Sequence, residues 1–161
     1  EKAYLLNYFL ESFRGTLFRQ TMFAEFEQKA HEMAATGESL TSQSLCSIYK
    51  KLNEDYFGPD TVTDPEIQYE WERIPHFYTP FYVYQYATGF SAAIAISRKI
   101  FNGEPGILEG YRKFLSGGCC DTPIELLKLA GVDMSHTGPV EEALKFFEEL
   151  LNEFEELVHR F

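Results

Sequence analysis

The sequence predicts an all-α fold of about six helices. Three observations carry that prediction. Apolar residues recur at three- and four-residue steps through most of the chain. Glycine and proline fall between those runs, and no segment sustains two-residue alternation with hairpin chemistry. No repeat or low-complexity tract interrupts the pattern, and 161 residues suit a single domain with its own core.

The first helix is expected over residues 1–36, where Leu5, Phe9, Phe13, Leu17 and Thr21, then Phe26 and Ala30, keep helical spacing up to a stop at Gly37. Gly15 lies inside it at a cost near ~1 kcal/mol against alanine, which a close helix or ligand approach would explain. Thr41-Ser42-Gln43-Ser44 caps a second helix to about residue 57, with Leu45, Ile48, Tyr49, Leu52 and Tyr56 on one stripe. Gly58-Pro59-Asp60 ends it, and residues 58–73 form a polar loop with a short turn at 65–71. Thr79-Pro80 has the pattern of an N-cap and first helical position, so a third helix is expected over 80–101. His76, Phe77 and Tyr78 then lie on the loop entering it, since the residue before a proline is pushed out of helical geometry. Gly89-Phe90-Ser91-Ala92-Ala93 in that helix favours close packing. Residues 106–115 form a fourth helix. Thr122-Pro123 opens a short fifth that ends at Gly131, and Gly138-Pro139 opens the last, which runs to the C-terminus.

Composition narrows the function. Hydrophobic residues make up 45% and aromatics 16%, which is globular rather than disordered and rich enough in rings to leave some facing a partner or ligand. A net charge of −11 argues against nucleic acid and against an anionic membrane surface as partners. Much of the acid lies in the last helix, where Glu141, Glu142, Glu148, Glu149, Glu153, Glu155 and Glu156 suit a solvated face. Cys46, Cys119 and Cys120 have no metal-ligand spacing, and reduced thiols in a cytoplasmic protein account for them. No apolar run reaches the ~18 residues of a membrane span. The start enters a helical pattern without Met or cap, as in a chain cut from something longer.

Several catalytic signatures are incomplete. His31-Glu32 begins a zincin-like helix, but the second histidine would stand at position 35, which is Ala35. Gly117-Gly118 is followed by Cys119-Cys120 rather than Lys-Ser, so no phosphate loop is present. No nucleophilic triad signature appears. The remaining candidate is residues 74–89, IPHFYTPFYVYQYATG, with His76 and four tyrosines. Tyr82 and Tyr86 are four apart, and Tyr84 lies off their face. Two readings stand: a satisfied, half-buried aromatic cluster, or hydrogen-bond donors aimed at a carbonyl or oxyanion. Arg14 and Arg19 in the first helix suit either a peptide carboxylate or an ion pair with Glu11, Glu25 or an acid elsewhere.

Residues 74–89, together with residues 8–27, YFLESFRGTLFRQTMFAEFE, resemble the C-terminal part of the oligoendopeptidase F branch of the thimet-oligopeptidase family of zinc metallopeptidases. The resemblance runs from Tyr4 to about Leu157. The family's His-Glu-x-x-His segment is absent, and in the family it lies N-terminal to the region matched. The resemblance implies one helical wall of a peptidase cleft, short peptides as substrates, and zinc bound by residues outside this chain. The other partner it implies is the remainder of the same catalytic domain. His76 is matched to a family histidine that donates to the substrate carbonyl and the oxyanion. Tyr82 and Tyr84, in the helical motif, are matched as catalytic tyrosines, and Tyr78, on the loop, as a substrate contact; from its own chemistry Arg14 is expected to hold a peptide carboxylate, and Tyr86 is expected to matter much less. This segment alone is expected to be inactive and to hold no metal. The alternative is a non-catalytic helical module that binds a peptide or partner helix in an aromatic groove.

Overall fold

A computed structural model of the chain describes residues 1–159. Among them are seven α-helices, one π-helical segment, two 3-10 helices and no strand, so the all-α prediction stands. The helices are α1 (Lys2–Ser12), α2 (Arg19–Thr36), α3 (Ser42–Phe57), α4 (Tyr84–Phe101), α5 (Ile107–Ser116), α6 (Pro123–Leu129) and α7 (Gly138–Val158). The chain divides into two compact units: Arg14–Ala87 forms one, and Glu1–Phe13 with Thr88–Phe161 forms the other.

The long first helix exists, but Phe13–Phe18 between α1 and α2 is π-helical. The buried positions record the inserted residue. They run Leu6, Leu10, Phe13 and Leu17, then step five to Met22 before resuming at Phe23 and Phe26. The predicted stripe began at Leu5, which is exposed, because a constant helical period cannot anticipate that step. Gly15 lies in the π segment, and a Cβ there would meet nothing within 4 Å, so close packing does not account for it. The close approach is made instead by Gly110 of α5, where a Cβ would sit 2.0 Å from the Leu129 carbonyl oxygen of α6.

In the unit Arg14–Ala87, Met22, Phe23 and Phe26 of α2 pack with Tyr49 and Leu52 of α3 and with Ile74 and Val83. Thr41 and Ser44 form the expected capping box at α3. The expected polar loop holds a 3-10 helix, Pro65–Arg73, started by the Asp64 carboxylate, which accepts from the Glu66 N–H. Its one buried polar residue, Glu70, is held by Arg19 at 2.6 Å, by the Tyr49 hydroxyl at 2.7 Å, and by Arg73. Arg19 therefore takes the ion-pair role, with an acid distant in sequence.

In the other unit, Phe13 is fully buried against Phe9, Phe90, Phe146 and Phe147. Arg98 of α4 pairs with Glu149 of α7 and lies over the Phe146 ring. A second core joins Ala92, Ala95 and Ile96 to Ala130 and Val132, as the small-residue pattern in α4 requires. The acidic face of α7 is largely exposed, with Glu153 reaching Lys2. Residues 160–161, the end of the predicted last helix, lie outside the described residues.

Candidate functional site

The third predicted helix does not begin at Pro80. It begins at Tyr84, and Thr79 instead ends a short 3-10 helix, Pro75–Tyr78. The reason is a turn that helical geometry cannot make. Phe81 has φ +58, the one positive φ among described non-glycine residues, a conformation that costs on the order of 1–3 kcal/mol. Its N–H donates to the buried Glu27 carboxylate of α2 at 2.7 Å, and its ring lies 4.7 Å from that of His31. Position 31, which fails as a zincin histidine, thus helps seat this turn.

Anchors and exposed groups alternate through the segment. Ile74 is buried. Phe77 packs edge-on against Phe23 and tilted against Phe26, with centroids 5.6 and 5.2 Å away. Val83 is fully buried. With Phe77 and Val83 fixed in the core, His76 and Tyr82 are left toward the surface, and Tyr86 follows on the first turn of α4.

These three rings converge. His76 stacks on Tyr82 with centroids 5.7 Å apart and planes 12° off parallel. Tyr86 meets His76 edge-on at 5.7 Å and Tyr82 edge-on at 5.6 Å. The Tyr86 hydroxyl lies 3.2 Å from His76 Nε2, where the imidazole tautomer decides which group donates. A hydrogen bond with the Tyr82 phenol, aided by partial desolvation, raises the pKa of Tyr86 and keeps its hydroxyl protonated. The cluster is open to solvent on one side: Tyr82 is 39% exposed. It can offer N–H and O–H donors to an incoming acceptor.

His76 and Tyr82, singled out in the sequence, are brought together. Tyr78 is 84% exposed next to them in sequence, and Tyr84 is half exposed on a different face of α4. Arg14 is exposed in the π segment. Tyr86, ranked low on sequence, is the tyrosine whose hydroxyl reaches the His76 imidazole nitrogen. The signal for it was present in the four-residue spacing from Tyr82. Glu27 was missed altogether, since nothing local marks an acid on α2 as the support of a turn at Phe81. Among the described residues no three His, Cys, Asp or Glu side chains converge on a metal site.

The profile of Peptidase family M3 matches residues 1–146. Chromosomal oligoendopeptidase F of Lactococcus lactis subsp. cremoris is 51% identical over 160 residues, covering 99% of this chain and 27% of that protein. Oligopeptidase PepF of Bacillus subtilis is 54% identical over 159 residues, covering 98% of this chain and 24% of the relative. The crystal structure of oligoendopeptidase-F from Enterococcus faecium superposes with a TM-score of 0.97 at 52% identity, over 99% of this chain and 31% of that one. The chain therefore spans about a quarter of the length of the curated relatives it matches.

Proposed function

This chain belongs to peptidase family M3, and on that premise we propose that it is the C-terminal part of the catalytic region of a cytoplasmic oligopeptidase that hydrolyses short peptides. In this reading His76, Tyr82 and Tyr86 face the scissile carbonyl and stabilise the negative charge that develops on its oxygen. The observation that carries the reading is the convergence of the three rings at an open surface, with the Tyr86 hydroxyl on His76 Nε2.

Either tautomer leaves a usable donor. If Nε2–H donates to the Tyr86 oxygen, the Tyr86 hydroxyl is directed at the Tyr82 phenol, and the Tyr82 proton is the one offered to the substrate. If the Tyr86 hydroxyl donates to Nε2, the imidazole offers Nδ1–H. A protonated phenol suits the task, and the raised pKa of Tyr86 supports it. The strained turn at Phe81, tied to Glu27, supports pre-organisation: the donors are placed before the charge appears. Tyr84 is a second donor in this proposal, while Tyr78 and Arg14 contact the peptide away from the scissile bond.

Among the described residues no His, Cys, Asp and Glu side chains come together as a metal centre, so zinc is assigned to the part of the enzyme outside this chain, and no step is derived through it. The same missing part covers exposed rings such as Tyr4, Tyr8 and Tyr69.

The test is steady-state kinetics of the complete enzyme on a short fluorogenic peptide. Tyr86→Phe and Tyr82→Phe should each lower kcat and kcat/KM together by roughly 10- to 100-fold with KM little changed. Bound zinc should remain. A variant that raises KM alone makes that phenol a binding group. Wild-type kcat in both variants makes the cluster structural and favours a non-catalytic binding module.

A further inference from the structure

We propose that Cys119 and Cys120 form a dithiol site for a trivalent organoarsenical, whose carbon substituent sits in the apolar cavity beside them. Both thiols are free and exposed. They lie on the turn between α5 and α6, closed by the Cys120 N–H donating to the Gly117 carbonyl at 3.2 Å. Gly118 at φ +54 supplies the backbone that lets this turn form. Cys119 also lines a cavity of about 740 Å³, walled by Ala93, Ile96, Ile100, Phe114 and Leu127.

The chemistry of adjacent thiols selects the ligand class. A disulfide between neighbours closes a strained eight-membered ring, so the pair resists bridging itself. Placing one atom between the two sulfurs enlarges that ring and relieves the strain. Tetrahedral zinc would need two further ligands, and among the described residues no third His, Cys, Asp or Glu completes a metal site. Trivalent arsenic needs only the two sulfurs and one carbon. Its carbon group then points to a cavity whose walls are mainly apolar, with Ser97, Tyr111 and Asp121 among them, where burial favours an aryl or alkyl substituent.

The step balances without an oxidant. An arsenoso compound, R–As=O, takes two thiols. Two As–S bonds form, the As–O bonds break, and the oxygen leaves as one water with the two thiol protons. Arsenic stays trivalent and both sulfurs keep their oxidation state.

The probes are phenylarsine oxide and inorganic arsenite, added to the complete enzyme and followed by peptide mapping and competition. Phenylarsine oxide should bridge Cys119 and Cys120 at one per chain, be released by a dithiol but not by a monothiol, and bind at least about tenfold tighter than arsenite. Cys119→Ser and Cys120→Ser should each abolish the bridged adduct, and Cys46→Ser should not. Ala93→Phe, which fills the cavity, should weaken phenylarsine oxide by about tenfold and leave arsenite unchanged. No adduct, or one that survives either serine variant at these positions, overturns the dithiol site. Equal affinity for the two probes, or indifference to Ala93→Phe, overturns the seat in the cavity.

Discussion

Glu70 and His76 stand six residues apart and sit in opposite surroundings. Glu70 is buried, and both oxygens of its carboxylate are engaged, Oε1 by Arg19 and Arg73 and Oε2 by the Tyr49 hydroxyl. His76 is half-buried, stacked on one side by Tyr82 and touched edge-on by Tyr86, with the cluster open beyond. Both are polar groups set among aromatic rings. The buried one is saturated, so it can hold the unit together but cannot meet a ligand. The open one has donors to spare and adds little burial. Saturation, more than residue type, separates a structural cluster from a candidate catalytic one.

The comparison can be broken from the Glu70 side first. Glu70→Ala leaves the partly buried Arg19 without its partner, and removing one member of such a pair typically costs about 3–5 kcal/mol. Denaturant unfolding of the complete enzyme should show that loss, with kcat per folded molecule nearly unchanged.

Acid should act on the same cluster. Burial pushes the Glu70 pKa up, but the Tyr49 hydroxyl, Arg19 and Arg73 outweigh it and hold the carboxyl below its ordinary value. A depressed folded pKa gives stability that is complete above the unfolded value near ~4.3 and lost as pH falls through the folded one. Unfolding midpoints should therefore drop steeply below about pH 4, and Glu70→Gln should flatten that slope. An unchanged slope would mean the pair is not formed in solution.

Tyr49→Phe should cost less, about 1–3 kcal/mol, by leaving one Glu70 oxygen without its donor. Burial and the Glu70 carboxylate also push the Tyr49 hydroxyl well above the usual phenol range, so it stays a donor at any working pH. The smallest expected effect links the two regions. Glu27→Ala frees the Phe81 turn and should lower kcat by about tenfold, while Glu27→Gln, which keeps an acceptor for the Phe81 N–H, should recover most of it. Equal kcat for both variants would show that the turn holds itself.

The helical class and the caps at Thr41 and Thr122 were legible because they are written in a few neighbouring residues. His76 and Tyr82 were legible because phenols and an imidazole crowd one short stretch. The π segment was not, because one inserted residue leaves the local apolar spacing nearly intact and shifts only what lies beyond it. The start of α4 was misplaced because Thr79-Pro80 satisfies the rules for a helix start, while Glu27, 54 residues away from Phe81, captures the N–H and prevents it. Glu70 was unreadable for the same reason: its partners Arg19 and Tyr49 come from α2 and α3, and only tertiary structure brings them together.

The central claim is that the open cluster acts on substrate while the saturated one acts on stability. His76→Ala in the complete enzyme tests it most directly, with kcat, zinc content and unfolding midpoint measured on one preparation. The account predicts a fall in kcat of about 100- to 1,000-fold, full zinc occupancy and a midpoint within experimental error of wild type. A lowered midpoint with near-wild-type kcat would contradict it, and loss of zinc would make His76 a metal ligand instead.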